Sequence, residues 1–391
     1  MPRKTTRNAQ GGGTIRQRPD GRWEARYTVG RDPGTGKQIQ KSIYGKTQKE
    51  VRQLLQQATT AIDEGSYIQP SKMTVGKWLD IWLEEYTSNV KEHTRVTYET
   101  QVRVHIKPAI GAVKLLDIKP HQIQAMYNHL QKEKQLSPKT IKNVNGVLHR
   151  ALDQALKLGY IKVNPCQGVV LPRVEAPEMH PMTESEIAAF LEAIKDSPYR
   201  MLLTIDMFTG MRQGEIMGLT WDRIDFKKGT ILIDRQMIHE KKKGGIYKFA
   251  LPKNSHFRTL TPAKKVMDML QAYKRQQAEA RLKAGAMWDD AGFPGLVFTD
   301  DLGRHCSNTT LSHTVSRTGK RIGIEGLRFH DLRHTYAVAS IRAGDDIKTI
   351  QYNLGHATAA FTLDKYAHYT DDMRRDSSAR MDAFMASIGS L

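Results

Sequence analysis

Four separated stretches in the second half of the chain carry side chains suited to one reaction. His330-Asp331-Leu332-Arg333-His334 sets a histidine and an arginine three residues apart, so that on one helical turn both face the same way. Leu354-Gly355-His356 brings a second histidine, at the end of a helix expected from about Ile347. Ten residues further on, Tyr366 lies within Thr362-Leu363-Asp364-Lys365-Tyr366-Ala367-His368-Tyr369. Upstream, Thr209-Gly210-Met211-Arg212-Gln213-Gly214-Glu215 places Arg212 at a glycine-flanked junction between two apolar stretches, 201–208 and 216–219. There it can approach an oxyanion while Glu215 orients it.

Two arginines, two histidines and a tyrosine suit phosphoryl transfer without a metal. The arginine pair neutralises non-bridging oxygens and the charge that develops in the transition state. A histidine of near-neutral pKa accepts the phenol proton. A tyrosine forms a covalent phosphoester, conserving bond energy for religation without ATP. Each residue also has an ordinary structural reading: Tyr366 as a core tyrosine, His356 as a helix C-cap, His330 as a surface histidine, Arg212–Glu215 as a surface ion pair. Their joint occurrence in this order favours chemistry.

Rival chemistries find little support. Gly34-Thr35-Gly36-Lys37 is like the end of a P-loop, but Arg31 stands where the first glycine belongs and Gln38 replaces the Ser or Thr, so the stretch reads as a hairpin turn. His239-Glu240 starts a zincin-like string without the second histidine. Cys166 and Cys306 are far apart and neither sits in a C-x-x-C pair. No cofactor and no metal are expected. The 391 residues are 39% hydrophobic with a formal charge of +19, which points to a polyanionic partner, nucleic acid first. Residues 1–60 alone hold 13 Lys or Arg against 4 Asp or Glu, the asymmetry of a dedicated binding module. No apolar run approaches a membrane span and Met1-Pro-Arg-Lys is not followed by a signal-peptide core, so a cytoplasmic protein without membrane contact is expected.

The elements that must position these residues follow from local patterns. A basic tail ends in Gly11-Gly12-Gly13. Strands are expected at 14–18, 22–29 and 37–44, separated by Pro19-Asp20-Gly21 and Asp32-Pro33-Gly34-Thr35-Gly36. The capping box Thr47-x-x-Glu50 then opens a helix with Val51, Leu54, Leu55, Ala58 and Ile62 on one stripe. Arg16, Arg18, Arg22, Arg26, Lys37 and Lys41 interleave with Trp23, Tyr27 and Tyr44 on this small sheet. They are candidates for groove and phosphate contact, with packing on the helix as the alternative for Trp23 or Tyr27. Residues 72–170 read as all-helical: 75–86, then a helix capped by Thr94 and ended by Pro108 and Gly111, then 120–133, then one opened by Ser137-Pro138 and stopped by Gly159. The last of these shows Lys139, Lys142, Arg150 and Lys157 on its polar side, either a solvated face or a DNA contact. Pro172, Pro177 and Pro181 mark a linker, and Thr183-x-x-Glu186 opens a mainly helical domain with a small β insertion at 230–235, 246–251 and 258–260. The fold class is multidomain: a small three-stranded β-sheet plus helix (1–66), an all-α helical bundle (72–170), a linker (171–182), and a mainly α domain with a small β insertion (183–391).

With these motifs in hand, the chain resembles the tyrosine recombinase (phage-integrase) family. The matching strings are T-G-M-R-Q-G-E (209–215), P-K-N-S-H-F-R-T-L (252–260), H-D-L-R-H-T (330–335), L-G-H (354–356) and L-D-K-Y (363–366). Within the family it is similar to integrases of conjugative transposons and related elements of Gram-positive bacteria. The resemblance implies the tyrosine recombinase fold, with an arm-site DNA-binding domain, a core-binding bundle and a catalytic domain. By motif, Arg212 and Arg333 would clamp the scissile phosphate, with Glu215 in support. Lys253 would be the general acid for the 5′-hydroxyl leaving group, with Lys248 and Lys241–Lys243 as nearby rivals. His330 would serve as acid/base or positioning residue, and His356 would hydrogen-bond the phosphate. Tyr366 would form a 3′-phosphotyrosyl link, with Tyr369 as its rival.

The resemblance further implies double-stranded DNA core and arm sites, a homo-tetramer passing through a Holliday junction, and direction set by an excisionase and a host DNA-bending protein, on nucleoid DNA. Residues 371–388, with Met373, Met381, Phe384, Met385 and Ile388 as apolar points, are expected to form a helix that docks on a neighbouring protomer or packs in cis. Two other readings stand beside this one: a DNA-binding regulator or architectural protein that keeps the fold without catalysis, and a type IB topoisomerase, which shares the chemistry but not the basic N-terminal module.

Overall fold

The computed structural model describes residues 13–63, 72–175, 180–240, 245–252, 257–290, 292–355, 358, 381–382 and 385–388. The chain divides into two compact units, residues 1–176 and 177–391.

The first unit opens with β1 (Thr14–Gln17), β2 (Trp23–Arg31) and β3 (Gln38–Gly45), antiparallel in that order. Their turns are made by the expected residues: Gly21 (φ +80°) and Gly36 (φ +68°) take the left-handed conformations, and Asp32 Oδ1 accepts from the backbone of Gly34 and Thr35. Helix α1 (Gln48–Asp63) starts where Thr47 Oγ1 accepts from Glu50 N at 3.2 Å. Strand alternation sends Ala25 and Tyr27 into a core with Val51 and Leu55, and Trp23, Ile15 and Ile43 pack against it. Both aromatics of β2 therefore face the helix. The opposite face of the sheet carries Arg16, Glu24, Arg26, Ser42 and Tyr44.

A second core in this unit belongs to the helices α2 (Val75–Glu85), α3 (Glu92–Gln101), α4 (Lys107–Ile110), α5 (Pro120–Lys132) and α6 (Pro138–Lys157). Ser137 Oγ accepts from Thr140 N at the start of α6, ahead of Pro138 at the first helical position. Two expectations need correction. The helix assigned to a Thr94 cap is capped three residues earlier, at Lys91, and opens on Glu92, where a carboxylate suits the positive end of the helix dipole. Nor does Pro108 end it: Val102–Ile106 form a π-helical turn, and the helix continues through Pro108 to Ile110. A proline lacks the N–H and crowds the carbonyl four residues back, and the wider π turn relieves both problems. Trp78 is the hub of this core, 1% exposed, its Nε1 donating to Ala151 O at 2.8 Å.

In the second unit Thr183 and Glu186 form the expected capping box of α7 (Glu184–Ala193), with Thr183 N donating to Glu186 Oε2 at 2.8 Å. There follow α8 (Arg200–Thr209), α9 (Gln213–Met217), β4 (Ile224–Asp225), β5 (Thr230–Ile233), β6 (Gln236–Glu240), β7 (Ile246–Ala250), β8 (Arg258–Leu260), α10 (Lys264–Ala284), α11 (Asn308–Arg321), α12 (Phe329–Arg342) and α13 (Ile347–Leu354). The β insertion is larger than the three strands expected, and it forms two sheets, β4-β5-β8 and β6-β7. Strand β6 buries only Met237, so its sequence lacks the alternation that marks a strand, and its pairing with β7 supplies the order. Phe190, Leu203, Ile216, Ile231, Leu270 and Leu332 lie in one core joining these helices to β5. Among the described residues no helix is long and apolar enough to cross a membrane. Of the expected 371–388 helix, residues 381–382 and 385–387 are helical, with Met381, Met385 and Ile388 exposed, and the remainder lies outside the described residues.

Replacing Trp78 by Ala removes a buried ring and its hydrogen bond to the Ala151 carbonyl. Denaturant unfolding is expected to show a loss of about 3–5 kcal/mol in the first unit. A loss below about 1 kcal/mol would mean that Trp78 is not the hub of this core.

Candidate active site

Arg212 owes its place to the turn between α8 and α9. Gly210 ends α8 in a left-handed conformation (φ +61°), and a Cβ there would meet Tyr336 Cδ1 at 2.3 Å, so only glycine fits. Two residues later Arg212 is extended and caps α9: its backbone N donates to Glu215 Oε2 at 2.9 Å and its Nη1 to Glu215 Oε1 at 2.8 Å. Glu215 is buried and is shared with a second arginine. Arg258, pointing inward from β8, donates from Nη2 to Oε2 at 2.6 Å and from Nη1 to Oε1 at 3.1 Å. Burial pushes the Glu215 carboxyl up, but the hydrogen bonds of Arg258 and the charges of Arg258 and Arg212 outweigh it and hold the group at about 2. The acid is ionised at every ordinary pH.

Helix α12 presents the next pair. Its first turn is clamped by Asp331, whose carboxylate accepts from Arg328 N at 2.8 Å and from Arg328 Nη2 at 2.7 Å. That fixes His330 and Arg333 one turn apart. Arg333 is 2% exposed; its Nη1 donates to Gly210 O at 2.7 Å and its Nη2 to Leu354 O. Arg212 Nη2 donates to Gly355 O at 2.7 Å, and Arg258 Nε to Asn353 O at 2.8 Å. Three consecutive carbonyls at the C-terminus of α13 thus receive three different arginines, and the next residue in the chain is His356. Gly355 closes α13 in the left-handed conformation (φ +59°).

His330 keeps an exposed face. The atoms packed around its ring, and then the charge of Arg333, nevertheless push its pKa below the ordinary 6.5, with Arg212 adding to the effect. A neutral imidazole is the form able to accept a proton. His334, one turn on, meets the His330 ring edge-to-face at 4.8 Å, and burial together with the His330 charge takes it down to about 4. Below this group lies Asp206 of α8. It is fully buried, and among the described residues neither carboxylate oxygen has a hydrogen-bond partner. Burial raises its pKa well above the ordinary 3.8, against the lowering effect of Arg333 and with a further raise from Glu215. Burial thus favours the protonated form of Asp206.

The structure brings together Arg212, Glu215, His330 and Arg333. Lys253, His356, Tyr366 and Tyr369 lie outside the described residues, as do Lys241–Lys243. Lys248, on β7, is ion-paired with Glu240. On the N-terminal sheet Arg16 and Arg26 share the exposed face with Tyr44, and Arg18 stacks over the Tyr44 ring at 5.5 Å. Arg22 pairs with Asp20 in the β1–β2 turn at 2.7 Å. Lys37 sits in the β2–β3 turn, and Lys41 faces the α1 side opposite Tyr27. Lys139 and Lys142 are exposed on α6. Sequence reasoning missed Arg258 and Asp206 as members of the site. The available signals were an arginine at the inward position of a short strand and an aspartate inside an apolar helix.

The chain matches the phage integrase family over residues 180–373 and the phage integrase N-terminal SAM-like domain over residues 74–131. It is 33% identical over 357 residues to a tyrosine recombinase XerC-like protein of Caldanaerobacter subterraneus subsp. tengcongensis, covering 87% of this chain and 90% of the relative. Among solved structures it is similar to the Tn1549 transposon integrase in complex with transposon right end DNA (TM-score 0.68, 24% identity, 79% of this chain and 100% of that one). It is also similar in fold to a lambda integrase tetramer bound to a Holliday junction (TM-score 0.54, 21% identity, 88% of this chain and 96% of that one).

Because Asp206 binds its proton more tightly folded than unfolded, stability must fall as pH rises from below 3.8 through the raised value. Asp206→Asn, which stays neutral, is expected to raise Tm by a few degrees at pH 8 and to match the wild type at pH 3.5. Thermal unfolding across that range checks it, and a lower Tm for the variant at pH 8 would mean that an ionised Asp206 stabilises the fold.

Proposed function

The chain belongs to the phage integrase family of tyrosine recombinases, and on that premise we propose that it integrates and excises a mobile element through a 3′-phosphotyrosyl link on Tyr366. It is a site-specific DNA recombinase. The observation that carries the proposed site is the convergence of Arg212 and Arg333 on adjacent carbonyls, Gly355 O and Leu354 O, directly before His356. Carbonyl oxygens at a helix C-terminus carry partial negative charge, so donors held there are already aimed at an anionic oxygen.

Each residue takes a role in this reading. Tyr366 Oη attacks the scissile phosphorus while the 5′-oxygen leaves. His330, neutral and partly open to solvent, accepts the phenol proton. Arg212 and Arg333 donate to the non-bridging oxygens, which gain charge in the transition state, and His356 adds a further hydrogen bond. Lys253 protonates the departing 5′-oxygen. Reversal of these steps with a 5′-hydroxyl from a second duplex joins the strands and yields a Holliday junction within a tetramer. No nucleotide is consumed, because the phosphotyrosine retains the energy of the broken bond.

The remaining segments divide the recognition. Residues 1–66 bind arm sites, a role supported by Arg16, Arg18 and Arg26 on one exposed sheet face. Residues 72–170, with Lys139 and Lys142, and residues 183–391 hold the core site, the 171–182 linker joining them. An excisionase and a host DNA-bending protein set direction on cytoplasmic, nucleoid DNA.

Incubation with nicked core-site DNA is expected to give an SDS-stable protein–DNA adduct that Tyr366→Phe abolishes. An undiminished adduct in that variant would reject Tyr366 as nucleophile, and no adduct with the wild type would reject the chemistry. The lowered His330 pKa sets a second expectation. Single-turnover cleavage should stay level as pH falls through 6.5 and decline only below it, because the base protonates late. A decline centred above 6.5 would exclude His330 as the base.

A further inference from the structure

Arg258 has no role in the chemistry just described: its Nε, Nη1 and Nη2 donate to Asn353 O and to the two carboxylate oxygens of Glu215. We propose that Arg258 is a positioning residue for the phosphate clamp, tying the carboxylate that steers Arg212 to the helix end on which Arg212 and Arg333 rest. The proposal rests on the reading of Arg212 as a phosphate ligand.

Pairing of β8 with β5 sets Arg258 opposite Ile233, and the alternation of β8 turns Arg258 and Leu260 inward while Thr259 faces out. From there one planar group makes three bonds: Nη2 and Nη1 to the two oxygens of Glu215, and Nε to Asn353 O. Glu215 Oε1 is left accepting from both Arg258 Nη1 and Arg212 Nη1 (3.1 and 2.8 Å), so the carboxylate cannot rotate without breaking a bond to one of them. The α13 end is shaped to admit the guanidinium. A Cβ at Gly355 would lie 3.0 Å from Arg258 Nη1, so this glycine serves both the left-handed turn and the close approach. The charge balance also matters. Glu215 is one anion between two cations, so with Arg258 present it does not cancel Arg212, which keeps positive charge for an incoming phosphate.

Lysine is the informative replacement. It preserves the buried charge but is a point donor, unable to serve both carboxylate oxygens and a carbonyl in one plane. With Arg258→Lys the protein should still fold, with a lowered Tm, and bind DNA near the wild-type affinity, while single-turnover adduct formation at saturating protein, measured below that Tm, slows on the order of 100-fold, as for a misplaced catalytic group. The same pair of proteins is then compared on DNA with a neutral methylphosphonate at the scissile position. There the ionic part of Arg212's contribution is gone, and the penalty should shrink to about tenfold or less. Equal slowing on both linkages, or a wild-type rate on the phosphodiester, would overturn the proposal. If Arg258→Lys does not fold, the Arg258→Gln, Glu215→Gln pair, which leaves no buried charge in that position, is assayed identically against the same two outcomes. Failure of the wild type to form any adduct would reject the function itself, which is a separate result.

Discussion

The last carbonyls of a helix have no donors within the helix and carry the negative end of its dipole. In α13 these are the carbonyls of Asn353, Leu354 and Gly355, and each accepts from a different arginine: Arg258, Arg333 and Arg212. Three cations so close together would repel one another. The single ionised carboxylate of Glu215 and the aligned carbonyl dipoles compensate them in part, and the remainder is positive charge at a defined place. Breaking a buried pair of this kind costs about 3–5 kcal/mol, several times a surface ion pair, so the cluster is a constraint on the fold as well as a site. Strand β8, the α8–α9 turn, α12 and α13 all have to arrive at that one helix end.

Ionisation within the second unit follows from the same arrangement. Two acids lie in the neighbourhood of Arg333, and their pKa values are shifted in opposite directions. Glu215, bonded to two arginines, stays charged down to about 2, while burial raises Asp206, which has no hydrogen-bond partner among the described residues. His330 and His334 are both pushed towards the neutral form, by burial first and by the neighbouring cations second.

A related device recurs on the N-terminal sheet. Glu24, central on the face away from α1, accepts from Arg16 at 2.8 Å and from Arg26 at 3.1 Å, and also from Ser42. The Arg16 hydrogen bond is the main reason that this carboxyl lies at about 2. In both places one acid holds two arginines. Guanidinium planes fixed in this way suit directional contacts to phosphate or base edges better than free lysines would.

Local order was legible from residue patterns alone. The Ser137-Pro138 start of α6, the Thr183–Glu186 capping box, the turn glycines 21 and 36, and the i,i+3 relation of His330 to Arg333 each depend on neighbours within a few residues, and each is present in the fold. The reaction class was legible for the same reason, since the motifs carry it in short strings. What needed the tertiary structure were partners without a local signature. Glu215 meets Arg258 across 43 residues and Arg212 meets Gly355 across 143, distances at which no periodicity survives. The continuation of a helix through Pro108 and the split of the β insertion into two sheets were decided by packing as well. The chain by itself determined the local elements and the reaction class; tertiary structure decided which arginine each carbonyl of α13 receives, because that depends on elements distant in sequence meeting at one helix end.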